Sequence, residues 1–156
     1  MLSNYQLMII TSNHECTQSA LGGVYSFNLI PSAAIKFPSF WICNNKDSNQ
    51  PGEHWFSCYF QSESSPAEFF CSFGKSPSDY SSQLEYILKK SGNGNVQYNP
   101  RSVQADQSLS CSYFCLYVVD QRCRGVSYEG ILSKFSSSDL KYNDDLVVTY
   151  VQQHMR

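Results

Sequence analysis

The stretch that most limits what this chain can fold into runs from Gln104 to Val119. A polar loop, Gln104-Ala-Asp-Gln-Ser-Leu-Ser110, leads into Cys111-Ser-Tyr-Phe-Cys115 and then the apolar run Leu116-Tyr117-Val118-Val119. The pattern predicts a buried helix from about Ser110 to Cys123, so the rest of the chain must supply its cover. It also puts a cysteine in the first turn. Helix N-terminal N–H groups and the macrodipole favour a thiolate, drawing down a pKa that otherwise sits near ~8.5. Such a thiol is a candidate nucleophile if partners exist for it.

At 156 residues with 42% hydrophobic and 15% aromatic content, the chain is long enough for one core and short for two, so 1–156 is expected to be a single domain. Eleven Lys and Arg against 13 Asp and Glu give a formal charge of -2, with no basic stripe. A strong nucleic-acid partner is not expected. The seven cysteines, at 16, 43, 58, 71, 111, 115 and 123, contain no CxxC pair. That argues against a disulfide framework and a zinc ribbon, and for a reducing intracellular compartment; no metal site is expected. No apolar run is long enough for a membrane span, and none of secretory kind follows Met1. The expectation is a soluble intracellular monomer.

Leu2, Tyr5, Leu7, Met8, Ile9 and Ile10 fit a short helix or a strand, and residues 11–23 read as a polar, glycine-ended connection. Val24 to Ile30 alternates weakly, and Phe40-Trp-Ile-Cys-Asn44 reads as a buried strand. A turn-rich loop with Pro51-Gly52 opens into His54–Gln61, whose period of two puts His54, Phe56, Cys58 and Phe60 on one face. Glu68–Gly74 reads as a third strand, antiparallel to the second. Ser76-Pro77 starts a helix carrying Tyr80, Leu84, Ile87 and Leu88, and Asn95–Asn99 can be a further strand. After the long buried helix, Ser127 caps a short one, and Asn143 or Asp144 is expected to cap a last one bearing Leu146, Val147, Tyr150 and Val151. Strands in the middle with helices gathered at the end make an α+β pattern, expected as a central, mostly antiparallel sheet packed by helices.

A thiol nucleophile needs at least an imidazole to take its proton and later protonate the leaving amine. The chain has three histidines. His14 lies in a polar loop and His154 near the end, where solvated roles are the default. His54 opens a strand after a turn-rich loop and can be held firmly while facing a cleft; a plain strand-end histidine is the alternative. Cys43, Cys58 and Cys115 read as core residues, Asp106 as a solvated loop carboxylate, and Tyr98, Tyr113 and Tyr117 as core aromatics.

The ordered set GEHW at 52–55, EFFxSFG at 68–74, VQ at 103–104, CxxxC at 111–115 and CRGxSYEGIL at 123–132 resembles the adenovirus-type, adenain-like cysteine endopeptidases. The versions carried by Polinton (Maverick) elements and adintovirus-like genomes are the nearest in pattern, over about residues 23–154. The resemblance implies a variant of the papain-like cysteine protease fold with the nucleophile at the N-terminus of a central helix. It implies Cys111 as nucleophile, His54 as general base, and Gln104 with the Cys111 backbone N–H as oxyanion hole. Trp55 would line the site. It further implies cleavage of capsid or other structural precursors during particle maturation, after small residues such as a Gly-Gly pair, in a virion-like particle or the host cytoplasm or nucleus.

Two positions depart from the family pattern. Cys71 stands where relatives carry the Asp or Glu that orients the histidine, and a thiol is a weak acceptor beside a carboxylate. Ser112 replaces the glycine after the nucleophile and puts a hydroxymethyl group beside the substrate path. Glu53 is expected to point away from His54. These departures bring in a second class of function, a catalytically impaired copy kept as a peptide-binding or capsid-associated module. A ubiquitin-like-protein peptidase is a third. No cofactor is expected; an activating peptide or DNA is known in the family, but the balanced charge does not favour DNA and Cys16 matches no family cysteine.

Overall fold

The computed structural model describes residues 1–50 and 53–155. Pro51 and Gly52, the expected turn pair and the first residue of GEHW, lie outside the described residues. The chain begins with helices α1 (Asn4–Asn13) and α2 (Glu15–Ala20), then strand β1 (Leu21–Tyr25) and a 3-10 turn at Phe27–Leu29. Strands β2 (Ser39–Asn44), β3 (Trp55–Phe60) and β4 (Ala67–Phe70) follow. Next come α3 (Pro77–Tyr80), α4 (Ser82–Ser91) and β5 (Val96–Tyr98), and then α5 (Cys111–Cys123), α6 (Tyr128–Leu132) and α7 (Leu140–His154). The α+β reading holds.

The five strands form one sheet in chain order, β1-β2-β3-β4-β5. The two central pairings are antiparallel, with Trp41 opposite Cys58 and Cys58 opposite Phe69. Both edge pairings are parallel, which corrects the expected mostly antiparallel sheet. The reason is the length of the connections: β4 reaches β5 through α3 and α4, and β1 reaches β2 through residues 26–38, long enough to return the chain in the same direction.

Alternation along the strands divides the core. Phe40, Ile42, Trp55 and Tyr59 face α5 and pack with Leu7, Cys115, Leu116 and Val151. Trp41, Cys43, Phe56, Cys58, Phe60, Phe69 and Cys71 face the other way, onto Leu84, Ile87 and Leu88 of α4. A third cluster joins Phe70, Phe114, Tyr117, Tyr128, Phe135 and Val147 between α5, α6 and α7. The central helix is therefore covered on all sides. Arg122 in its last turn bonds Glu68 of β4 at 2.7 and 3.0 Å and lies over the Tyr59 ring, tying helix to sheet.

Four local expectations change. The connection expected over residues 11–23 is instead the end of α1, all of α2 and the start of β1, with Thr11 and Thr17 buried and bonded to helix carbonyls. The single helix from Ser76 is two, because Ser81 is extended (φ -169°) and its side chain caps α4 by accepting from Leu84 N–H. Helix α7 starts earlier than expected: Asp139 accepts from Tyr142 N–H, while Asn143 is buried and turned to Ser136 and the Val103 carbonyl. Tyr98 is exposed at the β5 edge and is not a core aromatic.

Candidate active site

Period-two alternation brings the first pair of site residues together. His54 just precedes β3 and Cys71 just follows β4, on antiparallel neighbours and on the same face. His54 Nε2 lies 3.4 Å from Cys71 Sγ. Cys71 thus faces one ring nitrogen of His54 directly. Its backbone is clamped by Asn99, which accepts from Cys71 N–H at 3.2 Å and donates to its carbonyl at 2.6 Å.

The chain after Cys71 shapes the site further. Gly74 N–H closes a turn onto the Cys71 carbonyl with φ of +77°, and a side chain at this position would run into the Arg101 backbone, so only glycine fits. This turn lays the Phe73 ring against His54, 4.9 Å between centroids. His54 N–H bonds Asn45 Oδ1 at 2.9 Å, which fixes the base from the backbone side. Glu53 pairs with Lys46 at the surface and not with His54, as expected.

Cys111 opens α5 from the other side of the sheet. It is only 2% exposed. Burial pushes its thiol pKa up, and hydrogen bonds from the backbone N–H groups of Trp55, Ser112 and Cys111 itself pull the other way without overcoming it. The helix N-terminus acts on the sulfur as expected, yet in this closed arrangement desolvation wins. For His54, burial and then the positive charge of Lys75 lower the pKa to about 4. The resting pair is accordingly a neutral thiol and a neutral imidazole. His54 Nδ1 is buried and makes no hydrogen bond among the described residues.

Gln104 is fully buried. Its Nε2 donates to the Ser108 carbonyl at 2.8 Å and the Ser108 hydroxyl at 3.3 Å, and its Oε1 accepts from Ser72. Ser72 O also accepts from Val103 and Gln104 N–H, so the nucleophile loop is stitched to the residue next to Cys71. Trp55 is buried in the same core cluster as Cys111, and its backbone N–H bonds the sulfur. Ser112 Oγ accepts from Leu2 N–H at 3.1 Å, and Leu2 is buried in the same cluster as Trp55 and Cys111.

Sequence reading misses Tyr80, Phe73, Asn99, Ser72 and Leu2 as neighbours of the site. Only the alternation that placed His54 beside strand β4 carried a signal for any of them. His14 and His154 stand apart from it: His14 Nε2 lies near Arg124 and Asp120, and His154 packs on Tyr150. Cys43, Cys58 and Cys115 are buried core thiols. No helix among the described residues is long and apolar enough to cross a membrane.

No family model and no curated protein matches the sequence. Among solved structures, the chain is similar to the ASFV pS273R protease at a TM-score of 0.56 and 15% identity, over 99% of this chain and 67% of that one. A selenomethionine form of the same protease aligns at 0.44 and 21% identity, over 78% and 46%. The architecture, a five-stranded sheet with helices on both faces and a buried helix opening at Cys111, is a fold shared with that protease.

Proposed function

We propose that this chain is a cysteine endopeptidase in which Cys111 is the nucleophile and His54 the general base. The observation that carries the reading is the environment of His54: one ring nitrogen faces Cys71 at 3.4 Å, the other is buried and unbonded among the described residues, and the next residue, Trp55, bonds the Cys111 sulfur through its backbone N–H. An imidazole with a free Nδ1 lone pair takes the thiol proton, and the thiolate attacks the substrate carbonyl. The imidazolium then returns the proton to the leaving amine, and water releases the acyl enzyme.

The carbonyl oxygen would be met by the Cys111 N–H and, once freed from Ser108, by Gln104 Nε2. One such side-chain donor is worth about 2.7–4 kcal/mol in transition-state stabilisation. By its resemblance to adenain-like enzymes and its likeness in fold to the ASFV pS273R protease, the chain would process structural precursors of a virus-like or transposable element at small, glycine-rich sites. A second reading has its own support. The buried nucleophile and the engaged Gln104 amide also suit a silent module that keeps the fold to bind peptide. Incubation with precursor proteins and with ubiquitin-like fusions separates them: cleavage by the natural protein that vanishes in Cys111→Ala supports the peptidase, and equal cleavage by Cys111→Ala removes Cys111 from the mechanism.

A further inference from the structure

The hydroxyl of Tyr80 lies 3.3 Å from Cys71 Sγ, which also contacts His54. Tyr80 is placed firmly. Its ring packs on Phe56 at 4.9 Å and Phe69 at 6.0 Å. A reciprocal capping box between Ser76 and Asp79 starts the short helix that carries it, and extended Ser81 ends that helix directly after it. From Cys71, the two polar neighbours of the sulfur are therefore a phenol oxygen and an imidazole nitrogen.

We propose that Tyr80 is a positioning residue that selects the tautomer of His54, acting through Cys71. A thiol has one proton to donate, and its sulfur accepts. If Cys71 S–H points to Tyr80 Oη, the sulfur lone pairs face His54, Nε2 carries the ring proton and donates it to Sγ, and Nδ1 is left as the base. If S–H points to Nε2 instead, the ring proton sits on Nδ1. That buried N–H then has no acceptor, a costly state, and the base is lost. Removing the Tyr80 hydroxyl removes the other acceptor for the thiol proton and so weakens the preference for Nε2–H, against the cost of an orphaned Nδ1–H. A neutral Cys71 can thus do part of what an orienting carboxylate does, provided that its own proton is held elsewhere.

This inference rests on the proposed role of His54, and its test reads the ring directly, without substrate. With ¹⁵N-labelled histidine there are three imidazoles to observe, and His54→Gln identifies the one in question. Near neutral pH the natural protein is expected to show His54 protonated on Nε2, and Tyr80→Phe, which keeps the ring and its packing, to show a raised share of the Nδ1–H form. In Cys71→Ala the further change Tyr80→Phe is expected to leave the tautomer unaltered, because the relay is already cut; a purely structural Tyr80 would act in both backgrounds. An Nδ1–H tautomer in the natural protein, or a tautomer ratio unchanged in Tyr80→Phe, overturns the proposal. If Tyr80→Phe does not fold, Cys71→Ala with Tyr80 intact decides alone: loss of the Nε2–H preference supports the relay, and its persistence overturns it. On peptide substrate Tyr80→Phe is expected to lose turnover in proportion to the share of His54 moved to Nδ1–H, with KM unchanged. Absence of any cleavage by the natural protein, with the tautomers as expected, would remove the proposed function and leave the relay standing.

Discussion

His54 is where the chemistry and the stability of this chain meet. Buried among Phe73, Cys71 and the end of β3, and beside the charge of Lys75, it is held neutral, with a pKa of about 4 against an ordinary value of 6.5. In the unfolded chain it takes a proton on the ordinary curve. Between those two values the unfolded state binds more protons, so the contribution of His54 to stability is present above pH 6.5 and is lost as the pH falls toward 4. A difference of that size corresponds to about 3 kcal/mol. Urea unfolding at about pH 7.5 and pH 4 should show His54→Gln losing less stability on acidification than the natural protein, by about that amount. Parallel losses in the two proteins would mean that His54 is not desolvated. That Cys111 opens a buried helix and His54 a strand was legible from the local pattern, whereas Cys71 came into view only through the family resemblance. Tyr80 was not legible, because its meeting with Cys71 depends on where α3 stops, and that is decided by the backbone of Ser81.

Among the elements, the N-terminal segment explains the departure at Ser112. Leu2, just ahead of the Ser3 cap of α1, is buried beside Cys111 and gives its N–H to the Ser112 hydroxyl. A glycine at 112 could offer no such acceptor. The segment thereby helps to keep the nucleophile from solvent, and a hydrogen bond of this kind is worth about 1 kcal/mol, or roughly a fivefold change in an opening equilibrium. Ser112→Gly is expected to speed alkylation of Cys111 by iodoacetamide about fivefold, and Leu2→Asp to speed it further, with the other thiols unchanged. No acceleration in either folded variant would show that the segment does not guard the thiol. Nothing in residues 1–24 announced this. Their apolar residues fit helix and strand alike, and the choice was made by tertiary contacts of Leu7 and Ile10 with the central helix and α7. By contrast β2, β3, β4 and α5 were legible, since each carries its own period and its own turn or cap residues.

For the molecule as a whole, the fold was legible as a class and less so as a topology. Strands followed by helices gave α+β, whereas the parallel edges came from long connections whose packing no local pattern records. The same packing sets the functional state: the sheet brings His54 to Cys71, α5 brings Cys111 to the Trp55 backbone, and the Ser72–Gln104–Ser108 bonds hold the loop between them. It is a closed arrangement, with nucleophile, base and Gln104 all buried. The proposed reaction requires that substrate binding expose Cys111 and let Nδ1 reach its proton. The decisive experiment is to treat the protein with a peptide bearing an electrophilic carbonyl-type warhead and map the modified residue in the natural protein and in His54→Ala. One equivalent is expected to bind, at Cys111 among the seven thiols, with the rate falling roughly 100-fold or more without His54. Labelling at another cysteine, or at Cys111 with equal speed in His54→Ala, would contradict a Cys111–His54 catalytic pair.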